Sequence, residues 1–127
     1  MLTHLIISKG TELLRFPLDK IVFISSDGNY SNLTTVDNRT SLLCMQLGQI
    51  EALIAEQLGQ SGAIFIRTGR GLIINKDYIH LIDISKQRLI LSDCDKCRHE
   101  LTASREVLIK LKDYVDSLTP KGNEQYE

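Results

Sequence analysis

Ile64-Phe65-Ile66-Arg67-Thr68-Gly69-Arg70-Gly71-Leu72-Ile73-Ile74-Asn75 is the stretch on which the fold class of this chain turns. Two apolar runs with β-branched and aromatic residues bracket a short glycine-bearing loop, the pattern of two strands joined by a turn. Between Arg67 and Lys76 there are three basic residues and no acidic one. A guanidinium keeps its charge at any physiological pH, and its fork of donors matches phosphate oxygens or a guanine edge. A glycine loop that holds such a group away from a strand pair suits an anionic polymer. The same residues also fit a solvated hairpin loop that is merely basic.

Working outward toward the amino terminus, the strand reading continues. Leu5-Ile6-Ile7 and Leu13-Leu14-Arg15-Phe16 flank a glycine-containing turn and predict a hairpin. Ile21-Val22-Phe23-Ile24 is a third strand, ended by the turn cluster Ser25-Ser26-Asp27-Gly28-Asn29. Residues 30–36 alternate, with Tyr30, Asn32, Thr34 and Val36 on one face, and residues 39–44 return after a turn at Asp37-Asn38. The period then changes. Leu47, Ile50, Leu53, Ile54 and Leu58 recur at helical spacing, predicting a helix over about 46–58 that stops at Gly59-Gln60-Ser61-Gly62.

Toward the carboxyl terminus, strands are expected at 63–67, 71–75, 78–85, 88–92 and 98–102, with Asn75 read as a turn former. Ser104 is an expected N-cap, Glu106 falls in the first helical turn, and Val107, Leu108, Leu111, Tyr114, Val115 and Leu118 form an apolar stripe. A second helix is therefore expected over about 104–118. Residues 119–127 read as a disordered polar tail, leaving 1–118 as one domain. The fold class is mainly β within α+β: a mostly antiparallel β-sandwich with one inserted helix and one at the carboxyl end.

Composition narrows the function. The chain has 127 residues, 43% of them hydrophobic and 24% charged, as in an ordinary globular domain. No apolar run is long enough to span a bilayer, and the amino terminus lacks the basic start of a signal peptide, so a cytoplasmic protein with no membrane partner is expected. The net charge of −1 argues against a generic polyanion binder. Its distribution matters more, because residues 67–112 carry ten Lys or Arg against six Asp or Glu.

Several chemistries find no support. Cys44, Cys94 and Cys97 are an odd set that suggests no disulfide framework, and Cys94-Asp-Lys-Cys97 lacks a second ligand pair at zinc-finger spacing. A reduced turn pair is the reading for Cys94 and Cys97, with a thiol or zinc sensor as the rival. Gly69-Arg70-Gly71 is not followed by the helix that a phosphate cradle needs. No strained elbow surrounds Ser104, although His99 is near in sequence. Neither catalysis, nor a cofactor, metal or small-molecule substrate is expected.

Taken together, these residues resemble the LytTR DNA-binding domain of bacterial transcriptional regulators. The resemblance runs from about Leu13 to Val115. It is carried by Ile21-Val22-Phe23-Ile24 with Gly28-Asn29-Tyr30, the mid-chain helix, Phe65-Ile66-Arg67 through Arg70 to Leu72-Ile73-Ile74-Asn75, Tyr78-Ile79, and Ser104-Arg105. It implies a β-sandwich whose loops, not a recognition helix, enter the major groove of promoter double-stranded DNA. It also implies direct repeats as the target, with two copies of the chain, a homodimer on DNA, on one site. The reading side chains it implies are Tyr30, Arg70 and Arg105. Arg67, Lys76 and Arg98 are expected to contact the phosphate backbone, which positions without reading sequence.

Three features depart from that family's pattern. Many members carry His and Ser where Gly69 and Gly71 stand, which implies a more flexible loop and a larger ordering cost on binding. A stand-alone regulator, without the receiver domain of the best-known members, is expected. The acidic balance is unusual for a DNA binder. These departures keep a second reading open, a protein-interaction module with decayed DNA binding that regulates a related protein.

Overall fold

A computed structural model describes residues 3–118; the expected tail at 119–127 lies outside the described residues. Ten strands and two α-helices form the fold: β1 (His4–Lys9), β2 (Glu12–Pro17), β3 (Ile21–Asp27), β4 (Tyr30–Thr35), β5 (Thr40–Leu43), α1 (Leu47–Leu58), β6 (Phe65–Arg67), β7 (Leu72–Asn75), β8 (Ile79–Asp83), β9 (Arg88–Ser92), β10 (Arg98–Thr102) and α2 (Arg105–Ser117). All strand pairs are antiparallel. They make a five-stranded sheet in the order β5-β4-β3-β7-β6, a three-stranded sheet β10-β9-β8, and the β1-β2 hairpin.

The five-stranded sheet is the middle layer, because its central strands are apolar on both faces. Ile21, Ile24, Leu33, Leu43 and Ile73 face a core built with Leu5 and Ile7 of β1 and with Leu47, Ile50, Ile54 and Leu58 of α1. On the other face Val22, Phe23 and Ile74 meet Leu89 and Leu91 of β9, Cys97, and Leu108 and Leu111 of α2. A strict alternation would put Val22 and Phe23 on opposite faces. The register shifts between Ile21 and Phe23, so Val22 is an extra residue and both side chains enter the second core. Leu108 is fully buried there, and its truncation to Ala would cost about 2–5 kcal/mol and loosen α2.

Element ends differ from the sequence reading where polar caps intervene. The chain leaves α1 through a 3-10 segment, Gly59–Ile64, in which Gly62 is buried against Ile54 and Leu58, so the strand begins at Phe65 instead of 63. Before β8, Asn75 accepts from the Asp77 N–H at 2.9 Å and closes a 3-10 turn, Lys76–Tyr78. After it, Asp83 Oδ1 accepts from the Ser85 hydroxyl at 2.8 Å and the Lys86 N–H at 3.1 Å, ending the strand early. Asn75 is itself fully buried, donating to the Ile21 carbonyl at 2.9 Å. It is a turn former, as its type suggests.

The three cysteines are free. Cys97 sits in the second core, where burial and then Asp93 push its thiol pKa up, whereas Cys94 and Cys44 are exposed. Among the described residues no group of three or more His, Cys, Asp or Glu side chains could hold a metal ion.

Candidate nucleic-acid interface

The turn after β3 and the loop after β6 meet at one end of the five-stranded sheet. In β3, Ser26 pairs with Ser31 and Asp27 with Tyr30, so Tyr30 opens β4 at that end. The Ser26 N–H donates to the Gly71 carbonyl at 2.9 Å, which ties the β6–β7 loop to the same strand end. The loop is closed by the Thr68 N–H donating to the Leu72 carbonyl at 2.7 Å. Gly69 has φ +74°, the left-handed region in which a Cβ is strained. A Cβ on Gly71 would stand 3.0 Å from Ser26 Oγ, so small residues let this loop close onto β3.

Arg67 and Arg70 have different tasks in this loop. Arg67 donates from Nε to the Gly69 carbonyl (3.1 Å) and from Nη2 to the Arg70 carbonyl (2.8 Å). Its Nη1 meets Glu51 of α1 at 2.9 Å. The guanidinium therefore holds the loop from behind. Arg70 is exposed, and its side chain has no hydrogen-bond or ion-pair partner among the described residues. Its donors face solvent.

The start of α2 lies against this loop. Ser104 Oγ accepts from the Val107 N–H at 3.2 Å, the expected cap. A hollow of about 370 Å³ is lined by Thr68, Gly69 and Gly71 on one side and by Ala103, Ser104 and Val107 on the other. Arg105 is exposed just past it, with Nη1 3.5 Å from the Ile84 carbonyl in the β8–β9 turn. That turn adds Lys86, which is exposed and which sequence reasoning missed. Asp83 holds the turn. Its carboxyl lies below the ordinary carboxylate range because the Ser85 hydroxyl and then the Lys86 N–H stabilise the charged form. Lys9, at the end of β1, also reaches this end of the sheet, with Nζ 3.3 Å from the Cys44 carbonyl. Asp27, Glu51, Asp83 and Glu106 are carboxylates at this end, and Glu12 stands opposite Lys9 in the β1–β2 hairpin. Glu51 is paired with Arg67, and Asp27 accepts a 3.4 Å bond from Asn32.

Tyr30, Arg70 and Arg105 thus share one end of the molecule. Tyr30 is 47% exposed, so it is not a buried sheet residue. Lys76 and Arg98 are elsewhere. Lys76 follows β7, whose four residues carry the chain from the Arg70 loop to the far end of the sheet. Arg98 opens β10, the strand that only later reaches Ser104, and lies 3.9 Å from Glu100. The adjoining β9–β10 turn is joined to the β4–β5 turn by Asn38 donating to the Lys96 carbonyl at 3.2 Å. Linear proximity grouped Lys76 with Arg70; a strand of intervening length separates them. The signal for Lys86 was an exposed basic residue in a polar turn, which periodicity alone cannot distinguish from any other loop lysine.

Residues 11–116 match the family model of the LytTr DNA-binding domain. The chain belongs to this family. A solved structure with a similar fold is the LytTr DNA-binding domain of a protein named as a methyl-accepting/DNA response regulator from Bacillus cereus. It superposes with a TM-score of 0.60 at 16% identity and covers 91% of this chain and 98% of that one. At that identity the likeness concerns the fold. No curated protein matches the chain. This LytTR domain is a DNA-binding domain of the transcription-regulator type, and among its described residues no helix is long and apolar enough to cross a membrane.

Proposed function

We propose that this LytTR domain is a cytoplasmic, non-enzymatic transcriptional regulator that reads promoter direct repeats in the major groove. The observation that carries it is the convergence of Tyr30, Arg70 and Arg105 on one end, with the Arg70 side chain free of any hydrogen-bond or ion-pair partner among the described residues. A bidentate arginine contact to guanine O6 and N7 discriminates by roughly 1–3 kcal/mol. Arg70 is the proposed reader. Arg105 and Lys86 flank the start of α2, whose first N–H groups themselves favour a phosphate. Tyr30 packs on a thymine methyl or bonds a phosphate. Arg67 acts through the loop it holds, and Lys76 and Arg98 fall outside this footprint. With a net charge of −1, one copy binds modestly, and two copies on adjacent repeats supply the remaining affinity.

Selection from a pool of randomised duplexes at low salt, followed by fluorescence anisotropy on the winners, tests this. The wild type should enrich a repeated motif, and Arg70→Ala should lose both affinity and the base preference at one position of each repeat. A wild type that enriches no sequence contradicts the proposal.

A further inference from the structure

The β3–β4 turn holds a second polar side chain, between Gly28 and Tyr30. Asn29 is exposed, and its Oδ1 accepts from Nε2 of Gln46 at 3.1 Å. Gln46 is the N-cap of α1 and shares a reciprocal capping box with Gln49. The Gln46 N–H donates to Gln49 Oε1 at 2.8 Å, and the Gln46 side chain receives the Gln49 backbone N–H, which is shared with the Gln46 carbonyl at 3.0 Å. A backbone N–H only donates, so the atom of the Gln46 amide that meets it is the oxygen. That leaves Gln46 Nε2 toward Asn29, and a donor there selects the Asn29 oxygen. What Asn29 has left is its NH₂ group, which has no partner among the described residues. One backbone N–H in α1 therefore sets the polarity of an amide at the same sheet end as Tyr30 and Arg70.

We propose that Asn29 is a specificity-determining residue of the DNA interface, and that Gln46, without touching DNA, sets which base edge it selects. This rests on the DNA-binding reading above. With Oδ1 occupied, Asn29 offers donors alone. It matches guanine O6 and N7 or thymine O4, and it loses the bidentate match to adenine, which needs a donor and an acceptor together. Gln46 is a positioning residue: its effect reaches DNA only through the Asn29 amide.

Gln46→Glu is the informative variant. A carboxylate keeps the Gln49 N–H and suits a helix N-terminus, but it has no donor to give. Asn29 then meets it with NH₂, and Oδ1 turns outward. Relative affinities for the selected duplex and its single-base variants, measured by competition anisotropy, should show the preference at one position move from guanine or thymine toward adenine or cytosine, by about tenfold. The extra negative charge lowers every affinity alike and cancels in the ratio. Gln46→Ala, which leaves the amide free to rotate, should flatten the preference at that position, and so should Asn29→Ala. A wild type that selects no sequence overturns this proposal together with the reading it rests on. A wild type that selects, with base preferences unchanged at every position in Gln46→Glu and Asn29→Ala, overturns this proposal alone.

Discussion

At one end of the five-stranded sheet, Arg70 and Arg105 stand exposed, the first with no side-chain partner among the described residues and the second only 3.5 Å from a carbonyl. At the other end, Arg39 lies 3.5 Å from Asp37, and Arg98 lies 3.9 Å from Glu100. Lys20, Lys76 and Lys96 there each have an aspartate next in sequence, at Asp19, Asp77 and Asp95. The two ends draw on the same residue types, yet Arg70 alone of these has glycines on both sides in sequence and no ion-pair partner among the described residues, whereas Arg105 has Glu106 beside it. A count of charges along the chain does not distinguish them. Partnering does, since an exposed ion pair contributes about 0–1 kcal/mol and leaves little net field for a phosphate to meet.

The largest effect should separate the two ends outright. Arg70→Ala is expected to weaken binding to the selected duplex by about ten- to a hundredfold, in line with the loss of one good base contact. Lys76→Ala and Arg98→Ala should each change it by less than about twofold, the scale of a distant surface charge. Comparable losses at both ends would erase the contrast. A subtler break lies within the loop itself. Arg67→Ala removes three donor contacts that hold the loop, so affinity should fall by about three- to tenfold, the equivalent of one net hydrogen bond or so. The slope of log affinity against log salt should stay as in the wild type, whereas a residue that clamps a phosphate flattens that slope by about one unit.

How much of this was legible beforehand depended on the length scale. The helix over Leu47–Leu58 and the strand pair around Gly69-Arg70-Gly71 were plain from periodicity, because each buries one face or both against a core. Tyr30, Arg70 and Arg105 follow from the family resemblance alone; nothing in their spacing shows that three separate turns meet. The bulge at Val22 was invisible, since a run of four apolar residues reads the same with or without an extra residue. Lys76 was grouped with Arg70 because six positions look close in sequence, while four of those between them form a strand that spans the sheet. Gln46 looked like one more polar residue before a helix, and its bond to Asn29 joins positions 17 apart in sequence.

Two smaller predictions sharpen the picture of the loop end. Gly69→Ala should destabilise the fold by about 1 kcal/mol, seen as a lower urea midpoint with an unchanged slope, because φ +74° strains any side chain with a Cβ. An unaffected midpoint would mean that the loop does not require this backbone. Asp83→Ala addresses the turn carrying Lys86. The folded carboxyl sits below its ordinary value of 3.8, so its stabilisation is present above the unfolded pKa and is lost as pH falls through the folded one. The variant should therefore be slightly less stable than the wild type at pH 7, with the gap closing in acid below about pH 4. A gap independent of pH would show that the carboxylate's charge is not what holds the turn.

The most direct measurement is an NMR titration of isotope-labelled protein with the selected duplex, following every backbone amide. The account predicts that amides in 28–30, 68–71, 84–87 and 103–106 shift or broaden while those in 36–39, 76–78 and 93–97 stay in place. Perturbations concentrated in the second set, with the first unmoved, would contradict it.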